Sequence, residues 1–79
     1  MYLCITGFLP DDLEDNSLKY ELDVNAAFND QIVELLGHKN LGAMASGEWP
    51  LTKEQVQQIG ALTGETIPSD LNIFIGVEA

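Results

Sequence analysis

Leu18-Lys19-Tyr20-Glu21-Leu22-Asp23-Val24 alternates apolar and charged residues without a break. Successive strand side chains point to opposite faces, so this stretch reads as a half-buried β-strand. Leu18, Tyr20, Leu22 and Val24 form its dry side; Lys19, Glu21 and Asp23 form its wet side. Upstream, Tyr2 to Phe8 is rich in β-branched and aromatic residues and predicts a strand covered on both faces. Pro10-Asp11-Asp12 and Asn16-Ser17 are turn signals between the two. The short acidic connection makes an antiparallel hairpin the economical pairing.

Downstream of Val24 the period changes. Phe28, Ile32, Leu35 and Leu36 follow helical spacing. Asn25 or Asn29 can cap the start, and Asp30 suits the positive helix N-terminus. Gly37 is placed to end the helix in a left-handed conformation, with His38 and Lys39 near its negative end. Residues 38–50 read as irregular. Thr52 and Gln55 have the spacing of a capping box, and Leu51 before the cap can staple onto Val56. Val56, Ile59 and Leu62 continue this second helix, and Gly64 ends it. Gly60, near the apolar stripe, is expected to let the helix approach the sheet closely. After the turn at Ile67-Pro68-Ser69-Asp70, Leu71, Ile73, Ile75 and Val77 alternate with Asn72, Phe74, Gly76 and Glu78 and predict a third strand.

These elements give one α+β domain over residues 1–79 with the order β-β-α-α-β. The expected architecture is a three-stranded antiparallel sheet, spatial order 2-1-3, with both helices packed on one face. A central first strand accounts for its nearly continuous apolar character. Phe74 and Tyr2 then fall on the side away from the main core, as a second apolar patch.

Charge narrows the function. The 13 acidic residues face three lysines and no arginine, a formal net charge of −10. Binding nucleic acid requires Lys and Arg clusters, and an anionic membrane surface requires them equally. A basic protein partner is the better match, because opposite fields speed and orient encounter. The single cysteine, Cys4, forms no internal disulfide. A secreted domain of this size usually carries several, so a cytoplasmic location is expected. No basic leader is visible at the N-terminus, and no apolar run approaches the ~20 residues needed to span a bilayer.

Catalytic signatures are sparse. His38 is the only histidine and follows a helix end; Cys4 lies within a strand, where cysteine is usually a small buried hydrophobe. Gly42 and Gly47 are not followed by the Lys-Ser or Lys-Thr pair of a phosphate loop. The run Asp11-Asp12-Leu13-Glu14-Asp15-Asn16 lacks the spacing and central glycine of an EF-hand. No catalytic residue, metal ligand or cofactor is therefore assigned. The same carboxylates imitate the charge of a nucleic-acid backbone, and Glu21 and Asp23 extend that field along the next strand. Trp49, between Glu48 and Pro50, reads equally as a lid over the core and as an interface anchor.

With these features in view, the chain resembles the small acidic immunity proteins of bacterial toxin systems, of the contact-dependent inhibition and colicin types. The resemblance rests on the strand ending in Gly7-Phe8, the acid-rich hairpin, the helix end Leu35-Leu36-Gly37, the segment Trp49-Pro50-Leu51-Thr52-Lys53-Glu54-Gln55, and the closing apolar strand. It implies a cytosolic, non-enzymatic protein that binds a cognate toxin domain and occludes it. A basic nuclease such as an RNase is the expected target. The family supplies no common catalytic or contact residues, so the expected partner-binding set comes from charge and the lone tryptophan: Asp11, Asp12, Glu14, Asp15, Glu21, Asp23, Glu48 and Trp49. A phage-encoded acidic inhibitor of a bacterial defence complex would look the same in sequence. A metal-binding or enzymatic domain using the carboxylates of residues 11–15 is the third reading. Like charges at Glu21 and Asp23 on an edge strand oppose self-pairing, so a monomer is expected over a homodimer.

Overall fold

The computed structural model describes residues 1–10 and 17–78. Its strands are β1 (Tyr2–Phe8), β2 (Tyr20–Asp23), β3 (Trp49–Pro50) and β4 (Asn72–Glu78). A 3-10 turn (Ala26–Phe28) leads into α1 (Asn29–Leu35); α2 (Leu41–Met44) and α3 (Lys53–Thr63) follow. The four strands form one antiparallel sheet in the order β2-β1-β4-β3. The expected order of the first, second and last strands is present, with β1 central between β2 and β4.

The register assigns the faces. Leu3 lies opposite Val77, Ile5 opposite Ile75 and Gly7 opposite Ile73. On the far side of β1, Ile5 lies opposite Leu22 and Gly7 opposite Tyr20. Leu3, Ile5, Ile73 and Ile75 share one core with Ile32 and Val33 of α1, Met44 of α2, and Val56 and Ile59 of α3. The helical layer therefore covers one face only. Fully burying a side chain such as Leu3, Ile5, Ile32 or Ile59 contributes roughly 1.5–3 kcal/mol, which makes these positions the main stabilisers of a small domain.

Local chemistry explains the helix ends. Asn25 Oδ1 accepts from the Ala27 N–H and caps the 3-10 turn. The Asn29 amide instead donates to the Met1 carbonyl, tying the helical segment to the start of the chain. At the end of α1, Gly37 sits at φ +77°. The N–H groups of Gly37 and His38 donate to the carbonyls of Glu34 and Val33, the paired bonds of a Schellman motif. The capping box of α3 is complete. The Gln55 N–H donates to Thr52 Oγ1, and the Thr52 N–H donates to Gln55 Oε1.

Four details differ from the sequence reading. Residues 38–50 are not wholly irregular: they hold α2 and β3. One helical turn is too short to show a period; α2 is set by Asn40, whose Oδ1 accepts from the Ala43 N–H, and by the fully buried Met44. The two residues of β3 make the sheet four-stranded instead of three. Leu18 lies before β2 and is exposed, because pairing with β1 begins at Tyr20. Finally, a Cβ on Gly60 would meet the backbone carbonyl of Glu65 at 2.9 Å, not the sheet. Gly60 makes room for the chain returning after α3.

Candidate functional site: the uncovered sheet face

Alternation places the other half of the strand residues on the face that the helices leave uncovered. Tyr2, Cys4, Thr6 and Phe8 point there from β1, and Glu21 and Asp23 from β2. β4 adds Asn72, Phe74, Gly76 and Glu78. Phe8 and Phe74 form an edge-to-face pair with ring centroids 6.0 Å apart. This is the second apolar patch expected from the alternation, now with Tyr2 at its far end.

Carboxylates lie beside the aromatic pair, toward the Tyr2 end of the face. Glu21 lies across from Thr6 and Asp23 across from Cys4. Glu78 lies across from Tyr2. Glu48, just before β3, folds over Gly76: a Cβ there would come within 3.2 Å of Glu48 Cγ. Glycine at 76 thus lets a fourth carboxylate cross β4. No basic residue occupies a strand position on this face among the described residues. Lys19 stands directly before β2, its N–H donating to the Gly7 carbonyl; Lys39 follows α1 and Lys53 opens α3, both in the helical layer.

The acids act on the groups between them. Burial pushes the Cys4 thiol up to about 11, aided by the charge of Glu21 and by a thiol hydrogen bond to Asp23. Its ionised form would be a further anion among anions. The Tyr2 phenol is also raised, first by Asp23, then by burial and by Glu78. Thr6 Oγ1 is shielded from solvent and has no hydrogen-bond partner. No three His, Cys, Asp or Glu side chains among the described residues converge enough to hold a metal ion. The described carboxylates of this face are spread as separate charges over a surface.

Of the residues singled out from sequence, Glu21, Asp23 and Glu48 come together on this face. Asp11, Asp12, Glu14 and Asp15 lie outside the described residues. Trp49 stands on the opposite face. It pairs with Ile75, packs against the core, and donates its indole N–H to the Met44 carbonyl at 3.0 Å. The His38 ring tilts against it, with centroids 4.8 Å apart. Glu78 was legible as a site residue, since it shares the alternation of Phe74 and Gly76. The role of Gly76 as a passage for Glu48 was not, because it depends on the register of β3.

A groove of about 550 Å³ adjoins the open face, lined by Pro10, Pro50, Leu51, Val56, Leu71 and Phe74 among others. Pro50 and Phe74 connect the two surfaces. No helix is long and apolar enough to cross a membrane among the described residues. Comparison with known protein families, characterised proteins and solved structures finds no match to this chain.

Proposed function

We propose that this chain is an immunity-type inhibitor: a cytoplasmic, non-enzymatic protein that binds a basic toxin domain, with an RNase the expected class, and blocks it stoichiometrically. The observation that carries the reading is the uncovered sheet face. An apolar pair, Phe8 and Phe74, shares this face with four carboxylates, Glu21, Asp23, Glu48 and Glu78, which lie toward its Tyr2 end. Interfaces commonly combine apolar with charged surface, and complementary charge favours encounter with a cationic cleft. The acidic run from Asp11 to Asp15, outside the described residues, contributes to the net charge of −10.

Co-expression with a toxin domain encoded beside this chain tests the reading. The expected result is a one-to-one complex in which the toxin's activity is lost and host growth is restored. Absence of a toxin gene at that position, or unhindered toxicity despite soluble expression of the chain, rejects it.

A further inference from the structure

The two outer edges of the sheet are built differently. At β3, the Leu51 N–H donates to the Ile73 carbonyl, which fixes the ladder phase there. Pro50, the intervening residue, therefore has its ring where an outward N–H would be. Proline at that position blunts an edge. At β2, the Val24 N–H donates to the Leu3 carbonyl. With Leu22 opposite Ile5 and Tyr20 opposite Gly7, alternate residues of β2 face β1. Glu21 and Asp23 consequently direct their N–H and C=O groups outward, with both carboxylates on the uncovered face.

The chemistry of this edge selects its occupant. A second copy of the chain, pairing β2 with β2, would bring like carboxylates together on one face and join two molecules of net charge −10. An extended segment with lysine or arginine at alternate positions meets the opposite condition. Its backbone satisfies the outward groups of Glu21 and Asp23, and its cations lie beside their carboxylates.

We infer that β2 is a docking edge, to which the basic partner adds an extended strand whose alternate cationic side chains lie over the acidic face. This inference rests on the proposed inhibitor function and specifies how the partner is held. Main-chain pairing gives affinity in such strand addition, and the alternating side chains give selectivity.

Two short capped peptides of identical composition test it on the intact chain at low salt. One has lysine and valine in strict alternation; the other has them in two blocks. The alternating peptide should slow amide hydrogen exchange at Glu21 and Asp23 by about tenfold or more, and the block isomer should not. Glu21→Pro removes one outward N–H without removing a bond to β1. It should abolish the protection at Asp23, whereas Glu21→Gln should weaken binding but preserve the protection pattern. If the proline variant does not fold, the double reversal Glu21→Lys/Asp23→Lys gives an independent answer: it should prefer an alternating glutamate–valine peptide over its block isomer. Equal binding of both lysine peptides, with unchanged exchange at Glu21 and Asp23, overturns strand addition and leaves the acidic-face function standing. If neither peptide perturbs Glu21, Asp23, Glu48 or Glu78, strand addition is rejected and the acidic-face reading falls with it.

Discussion

Cys4 and Asp23 stand directly opposite each other across β1 and β2, and the thiol donates a hydrogen bond to the carboxylate. Burial first, then the Glu21 and Asp23 carboxylates, hold the thiol protonated in the folded chain up to about pH 11, while an unfolded cysteine ionises near pH 9. Between these values the unfolded state binds fewer protons than the folded state, so stability must fall as pH rises. Cys4 should contribute a loss of roughly 2–3 kcal/mol across that interval. Denaturant titrations from pH 8 to 11 should show this slope in the native chain and a shallower one in Cys4→Ala. The raised phenols of Tyr2 and Tyr20 act in the same direction, so the difference between the two proteins is the informative quantity. An identical slope in both proteins would exclude Cys4 as the source.

Asp23→Asn should make the same thiol more reactive. It keeps an oxygen acceptor but removes one of the nearby anions that oppose thiolate formation. Alkylation of the folded protein at mildly alkaline pH should be faster in the variant than in the native chain, because the thiolate is the nucleophile. An unchanged or slower rate, at equal thermal stability, would contradict the electrostatic link between these residues.

Trp49 should behave as a part of the core's covering. It packs beside Ile75, lies against the tilted ring of His38 and donates to the Met44 carbonyl at the end of α2. Trp49→Ala removes all three contacts and should cost about 2–4 kcal/mol, less than a fully buried tryptophan because the ring is only half-buried. Trp49→Phe keeps most of the packing and should lose about 1 kcal/mol with the hydrogen bond. Thermal melting without any partner checks both. A native melting temperature in Trp49→Ala would return this residue to the list of interface anchors.

Gly60 sets two effects against each other. Replacing an interior helical glycine by alanine ordinarily gains about 1 kcal/mol. Here the new Cβ would lie 2.9 Å from the Glu65 carbonyl oxygen, a backbone atom that also belongs to the turn closing α3. Relieving that contact should cost about 1–3 kcal/mol, so the net change should be destabilising or neutral. A clear rise in melting temperature for Gly60→Ala would mean that the return of the chain adapts freely.

The legible parts of this molecule were those with a repeated local signal. Alternation around Tyr20-Glu21-Leu22-Asp23 and from Leu71 to Val77 identified two strands and assigned Glu21, Asp23 and Phe74 to the wet side. Thr52 and Gln55 marked a helix start that the structure reproduces bond for bond. The missed parts depend on long-range register or on single turns. Trp49-Pro50 has too few residues to alternate, yet its pairing with β4 separates Trp49 from Glu48 and sends them to opposite faces. His38 was legible as a residue after a helix end, and its backbone does close that end. Its ring, however, is placed by Trp49, eleven residues away in sequence, and no local pattern encodes that contact.

The carboxylates of the two layers should answer neutralisation with opposite signs. Glu21, Asp23, Glu48 and Glu78 share one face, so their mutual repulsion opposes folding at low salt. Asp30 and Glu54 instead lie in the first turns of α1 and α3, where the helix dipole favours negative charge. The variant Glu21→Gln/Asp23→Asn/Glu48→Gln/Glu78→Gln should therefore melt a few degrees above the native chain at low ionic strength. That gap should close near 1 M salt, where the screening length falls to about 3 Å. Asp30→Asn/Glu54→Gln should melt below the native chain in the same buffer. Melting curves of the three proteins at two salt concentrations are sufficient. If the four-residue variant is no more stable than the native chain at low salt, the uncovered face is not electrostatically strained, and a cationic partner has correspondingly less to relieve by binding there.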